Sequence, residues 1–266
     1  MMLLRQILDR LRQRRLQLRA RQLTDFAFDT LATVYPRPLE WRGPPQRVLV
    51  LTPHADDETF GAGGSMLLHA DRGDTQHIIL FSDNAASIDD TSLETREKVA
   101  LREAEFDAAS ACVPGLRTTA LRLGEKDFHE NIPAPPAFVR QLVEFQPDVL
   151  YLPSLFDNHR DHRVLNIWLS RTLRTHKDVR PLIRGFEVWS PLPATVVADI
   201  TSRVEDKKNM MRCYPSQLRA IDYEHHILGL NAYRAMTFGS TARFAEAFLE
   251  LPSDAYLTLG NSVFHL

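Results

Sequence analysis

The stretch Val48–Gly64 constrains this chain more than any other. Val48, Leu49, Val50 and Leu51 form a continuous apolar run, the pattern of a strand buried on both faces. Pro53 closes the run, because proline has no N–H to give to a sheet ladder. His54, Asp56, Asp57 and Glu58 follow at once, then Gly61, Gly63 and Gly64, and then an apolar segment that opens a helix expected over residues 65–72. A buried strand that delivers polar side chains ahead of a helix sets them where open α/β sheets bind their ligands. Imidazole and carboxylate are donors suited to zinc or a similar divalent ion. His54 and Asp57 are three apart, so one turn of backbone can aim both at one point, leaving Asp56 as a free carboxylate in a general base's position. The competing reading gives Asp56, Asp57 and Glu58 only the work of a helix N-terminus. Gly61-Ala-Gly-Gly has neither G-x-G-x-x-G nor a following Lys-Ser/Thr, so the signal for a phosphate loop is weak.

A second cluster weighs against the plainer reading. Asp148–Leu152 is another strand-like run, again closed by a proline, Pro153. Beyond it lies Phe156-Asp-Asn-His-Arg-Asp-His162, with His159 and His162 three apart and Asp161 between them. Alone, this segment would pass for a solvated turn that starts a helix. Two strands that each end in Pro and then in His and Asp together offer a His–Asp–His metal set, with one carboxylate and one imidazole to spare.

The motifs H-A-D-D-E and H-R-D-H resemble those of the PIG-L/LmbE-like zinc-dependent N-deacetylases, which usually read (A)HPDDE and HxDH. The resemblance runs from about Val48 to Gln217 and is most specific in these two motifs. It implies a Rossmann-like α/β fold, a bound Zn2+ and hydrolysis of an N-acetyl group on an amino sugar of the N-acetylglucosamine type. By the same resemblance His54, Asp57 and His162 are the zinc ligands and Asp56 is the general base. A protonated His159 faces the developing oxyanion, and Asp161 orients His159. Ala55 stands where the family usually has Pro, which changes loop stiffness but removes no functional group. Arg102 and Glu105 are similar to a family element, R-x-x-E, whose Arg reaches the substrate pocket; the alternative is a surface ion pair. Lys207-Lys-Asn-Met-Met-Arg-Cys-Tyr-Pro-Ser-Gln217 is similar to a family pattern near the rim of the site, with Met where a small residue is usual.

The rest of the chain sets the frame. With 266 residues, 25% of them charged and a net charge of −2, it is long enough for one sizeable core and carries no nucleic-acid footprint. The expected architecture is one α/β domain over residues 47–266, a mostly parallel sheet flanked by helices, after a helical extension and connector over 1–46. In that extension Leu4, Ile7, Leu8 and Leu11 share a helix face amid seven arginines between Arg5 and Arg21. No stretch is long enough to span a bilayer. The expectation is therefore a cytoplasmic protein, with this basic helix a candidate for peripheral contact with the inner face of the cytoplasmic membrane. The competing reading packs its apolar face on the domain or on a second subunit of a homo-oligomer. Cys112 and Cys213 are far apart in sequence and out of metal-ligand spacing.

Further strands are expected over 76–81, 121–123, 182–189 and 195–200, and helices over 92–111, 136–145 and 162–173. Asp83 and Asn84, delivered to the same edge by the strand before them, are candidate substrate contacts or simply a turn. Trp189 is read as a pocket border or a buried sheet-edge residue, and His225-His226 as rim or surface, since neighbours on a helix diverge. Two rivals to the deacetylase reading remain: a metal-dependent phosphoesterase, and a catalytically silent sugar-binding relative. Retention of His54, Asp56, Asp57, His159 and His162 together argues against silence.

Overall fold

The apolar runs become the middle of one sheet. The computed structural model describes residues 36–129 and 131–264, with Arg14 and Leu18. Among them eight strands form a single sheet: β1 (Arg37–Pro38), β2 (Arg47–Thr52), β3 (Thr75–Ser82), β4 (Arg117–Leu123), β5 (Val149–Pro153), β6 (Leu182–Phe186), β7 (Val196–Asp199) and β8 (Ala245–Pro252), in the spatial order β1-β7-β8-β6-β5-β2-β3-β4. All pairings are parallel except those of β8, which runs antiparallel between β6 and β7. From β2 the chain proceeds outward to β3 and β4, then returns to lay β5 on the other side of β2. That reversal makes the β2–β5 boundary a topological switch point, where ligands of α/β sheets bind beyond the strand ends.

The helices are α1 (Asp57–Asp71), α2 (Thr95–Ala111), α3 (Pro136–Phe145), α4 (Arg160–Thr175), α5 (Val204–Arg212), α6 (Pro215–Leu218), α7 (Tyr223–Arg234) and α8 (Ser253–Phe264). They cover both sheet faces, which is why β2 has no polar alternation. Leu49 and Leu51 face a core with Phe138 of α3, Trp168 of α4 and Tyr256 of α8. Val48 and Val50 face another with Met66 of α1, Phe106 of α2 and Met210 of α5.

Several boundaries differ from expectation. The expected helix over 65–72 begins at Asp57, so the glycines lie inside it rather than ahead of it. Packing explains them. A Cβ at Gly61 would collide with the buried ring of Phe186, and one at Gly64 would lie 2.7 Å from Ile200. The strand expected to run to Trp189 stops at Phe186. Arg37–Pro38, in the expected connector, joins the sheet edge beside β7. The amphipathic helix with Leu4, Ile7, Leu8 and Leu11 lies outside the described residues. No described helix is long and apolar enough to cross a membrane.

Lys207, expected near the rim, is instead fully buried. Its ammonium sits 2.7 Å from Glu246 of β8 and donates to the Phe60 carbonyl at 2.8 Å and to Asn231 Oδ1 at 3.0 Å. Glu246 in turn accepts the N–H groups of Gly64 and Ser65, each at 2.8 Å. A buried pair is tolerated only when its remaining hydrogen-bonding capacity is met, and here helix α1 supplies much of it. The pair pins α1, and with it the turn that precedes the helix, to β8 and α5.

Glycine packing yields a prediction of sign. A Cβ at Gly63 would meet nothing closer than 3.5 Å. Gly63→Ala should be neutral or stabilising by up to about 1 kcal/mol through helix propensity. Gly61→Ala and Gly64→Ala should each lose about 1–3 kcal/mol to overpacking. Urea unfolding midpoints of the three variants check this, and equal effects at all three positions would contradict it.

Candidate metal centre and pocket

The turn between β2 and α1 carries strain and is held from several sides. Asp56 has φ 129°, a conformation that a residue with a Cβ adopts at a cost of about 1–3 kcal/mol. Its N–H donates to Glu58 Oε2 at 3.1 Å, an oxygen that also accepts from the Thr52 hydroxyl at 3.2 Å. Glu58 Oε1 accepts from the Tyr214 hydroxyl at 2.6 Å and from Thr59 at 2.8 Å. Burial pushes the Glu58 carboxyl up, against these hydrogen bonds. Glu58 therefore does more than favour a helix N-terminus: it braces the turn. Asn84, itself at φ 60°, braces it from β3 by accepting the Ala55 N–H at 2.9 Å. Its amide also bonds to Ser82, and the Asp83 carboxylate accepts the Ala85 N–H at 3.1 Å. Asp83 and Asn84 line the pocket while serving the turn.

The two motifs meet across the β2–β5 boundary. Asp57 Oδ2 lies 3.0 Å from His54 Nδ1 and 3.1 Å from His162 Nε2, and Asp57 and His162 are buried. Burial opposes charge on all three groups, but their mutual attraction wins. His54 is raised to about 10, with help from Asp161, and His162 to about 9, while Asp57 is held far below the usual carboxylate range. The centre thus stabilises concentrated positive charge around one carboxylate. A divalent cation fits that donor set. Tetrahedral zinc with bonds of about 2.0–2.2 Å holds its donors roughly 3.3 Å apart, close to the spacing seen around Asp57. Donor atoms of His54, His159 and His162 also all lie within 4.8 Å of one another, so the imidazoles alone form a second candidate set.

Asp157, which sequence reasoning passed over, supports the second motif. Its carboxylate accepts the N–H of His159 at 2.9 Å and of Trp189 at 3.0 Å, and lies 3.1 Å from His162 Nδ1. Such a carboxylate behind a candidate ligand His sets ring orientation. His159 is the N-cap of α4, and its Nδ1 accepts the Asp161 N–H at 3.2 Å. That bond leaves the proton of a neutral ring on Nε2. Burial and the neighbouring His54 and His162 charges also lower its pKa. A neutral His159 therefore still has a donor, at Nε2. The expected Asp161–His159 contact runs through the Asp161 backbone. The Asp161 carboxylate instead lies 3.2 Å from His54 Nε2 and pairs with Arg160 at 3.0 Å.

Asp56 differs from Asp57 in its surroundings. Burial pushes its carboxyl up to about 7, against the pull of Arg102. Arg102 is buried, donating to Asp56 Oδ2 at 2.9 Å, to the Ala55 carbonyl, to Glu105 at 2.5 Å and to Ser216 at 3.2 Å. The R-x-x-E pair is thus internal, not a surface pair, and the guanidinium bears directly on Asp56. Two carboxylates one residue apart are driven in opposite directions, the signature of separate roles. A cavity of about 460 Å³ opens over them, with Phe60, Gln217, Tyr223 and Trp189 on its walls. His225 and His226 are exposed on α7, as expected of adjacent helical residues.

Sheet and cluster together define a Rossmann-like α/β protein with a His/carboxylate centre at its switch point. Residues 49–171 match the family model PIG-L, described as GlcNAc-PI de-N-acetylase. Its fold is similar to that of N,N'-diacetylchitobiose deacetylase from Pyrococcus horikoshii, with TM-score 0.67 and 19% identity over 89% of this chain and 94% of that one. It is also similar to GalB, the 4-carboxy-2-hydroxymuconate hydratase of Pseudomonas putida KT2440, with TM-score 0.63 and 19% identity over 77% and 96%. A zinc-inhibited form of teicoplanin deacetylase Orf2 gives TM-score 0.58 and 16% identity over 78% and 99%. At such identities these likenesses establish the fold. No curated protein matches the sequence.

The Glu58 brace is testable apart from any activity. Tyr214→Phe removes the hydroxyl that donates to buried Glu58. It should cost about 1–3 kcal/mol in denaturant unfolding, the penalty of an under-bonded buried carboxylate. A change under half a kilocalorie would mean that Tyr214 does not brace the turn.

Proposed function

We propose that the protein is a zinc-dependent hydrolase that removes the N-acetyl group from an N-acetylglucosamine-type sugar in a glycoconjugate. One observation carries the reading: Asp57 Oδ2 stands within 3.1 Å of both His54 and His162, while the neighbouring Asp56 is held out of that cluster by Arg102 and faces the same pocket. The family match and the deacetylases among the fold neighbours support it. Because a hydratase shares the fold, the site and not the sheet has to carry the chemistry.

In this proposal His54, Asp57 and His162 hold the metal. Zinc bound there would supply Lewis acidity toward a water and an acyl oxygen. Asp56 takes the proton of the attacking water on its carboxylate, a task suited to a group titrating near neutrality. His159 presents Nε2–H to the oxygen on which negative charge develops. Arg102 keeps Asp56 in place and opposes the rise in its pKa. The C–N bond then breaks as Asp56 passes that proton to the departing nitrogen, and acetate and the free amine leave. Peripheral contact of the basic N-terminal segment with an anionic membrane belongs to the same proposal only if the substrate is lipid-linked.

Two measurements test it. Metal analysis should find zinc lost from Asp57→Ala and His162→Ala but kept in His159→Ala; loss in His159→Ala would favour the three-imidazole set. Asp56→Asn should keep zinc yet lose about a hundred- to ten-thousand-fold in rate. Acetate release by the zinc-loaded protein across a panel of N-acetylated glycosides reads the activity itself. No release from any of them, with phosphate released from sugar phosphates instead, would replace this reading with the phosphoesterase.

A further inference from the structure

Four rings run without a break from the centre to the rim of the pocket. Phe60 stacks on Tyr223 at 4.7 Å, Tyr223 meets Trp189 edge-on at 6.1 Å, and Trp189 lies parallel to His159 at 6.5 Å, within 22°. His159 is 4.8 Å from both His54 and His162, so Trp189 stands one ring further out than the candidate metal ligands. It is 50% exposed, unusual for so large an apolar surface, yet its backbone is fixed by the same Asp157 carboxylate that holds His159. A rigid, half-open indole at a pocket mouth is a stacking surface prepared in advance.

The charges of the lining limit what can stack there. Asp56, Asp57, Asp83 and Asp161 outnumber Arg102 and Arg160, and each of these arginines is ion-paired with one of the carboxylates. An anionic group at the mouth would find both of these arginines already paired. A cavity of about 460 Å³ lies in the range that encloses a drug-sized ligand, roughly two pyranose rings.

We propose that Trp189, backed by Tyr223, forms a subsite that stacks on the C–H face of a second, uncharged pyranose joined to the N-acetylated one. The substrate class is then a neutral oligosaccharide with at least two rings, rather than a free monosaccharide or a phosphate-linked sugar. The inference rests on the deacetylase reading: the amide sits at His54, Asp56 and His159, its own ring covers His159, and the next ring reaches Trp189.

The test uses the full chain with zinc, N,N'-diacetylchitobiose, N-acetylglucosamine and N-acetylglucosamine 1-phosphate, with Trp189→Ala and Trp189→Phe beside the wild type. The disaccharide should be preferred. Trp189→Ala should lower its kcat/KM about tenfold, mostly through KM, with the monosaccharide changed less than about twofold and Trp189→Phe retaining most of the preference. Calorimetric binding of the disaccharide to metal-free protein should weaken by the same factor in Trp189→Ala, and the phosphate ester should bind more weakly than the disaccharide. Equal losses on one ring and two, an unchanged disaccharide Kd, or preference for the phosphate ester would overturn the subsite. Trp189-dependent binding without turnover would overturn the deacetylase reading and leave the subsite standing. Turnover indifferent to Trp189 would do the reverse.

Discussion

Everything at the centre depends on a short parallel pairing, Val48 with Val149, Leu49 with Leu150 and Val50 with Tyr151. It aligns the ends of two strands about a hundred residues apart in sequence, and whatever follows each strand must share one space. Residues 54–57 and 157–162 are what follow. Their contacts, His162 to Asp57 and His54 to Asp161, bridge separations of 105 and 107 residues. Because β2 and β5 are buried on both faces, a slip of register would not expose a polar face but would misalign the two ends. The antiparallel β8 and the helix layers limit that slip by packing.

The second constraint is electrostatic. Asp57 has its desolvation offset by two imidazoles, whereas Asp56 faces Arg102 and stays near neutrality. The difference arises because α1 starts at Asp57, turning its side chain toward the second motif and leaving Asp56 in the strained turn. Glu58, Asn84 and Arg102 hold that strain. They touch Asp56 or its neighbours directly, so they govern the geometry of the Asp56 carboxylate whether or not they meet a substrate.

Support also comes from far along the chain. Lys207 and Glu246 join the α1 backbone near Phe60 and Gly64, and Phe186 and Ile200 fill the space that missing Cβ atoms leave open. The helix bearing the first motif is thus held from α5, β6 and β8. Close approach, rather than backbone freedom, is the reason for glycine at 61 and 64.

The sequence by itself determined the strands β2, β3 and β5, the helices α2, α3 and α4, and the polar clusters at the strand ends. These are local properties: apolar runs, helical periodicity, and Pro with His and Asp. The resemblance to the PIG-L/LmbE-like family and the α/β fold followed from the same motifs. Only the tertiary structure decided that Lys207 is buried, that Arg102 serves Asp56, that Asp161 turns its carboxylate to His54, and that Asp157 and Trp189 belong to the site. It also decided that the segment Ala245–Pro252 slots antiparallel into the sheet. The reason is common to all of them. A side chain's role depends on what desolvates it and what it pairs with, and those partners lie on other elements, at separations that no local pattern records.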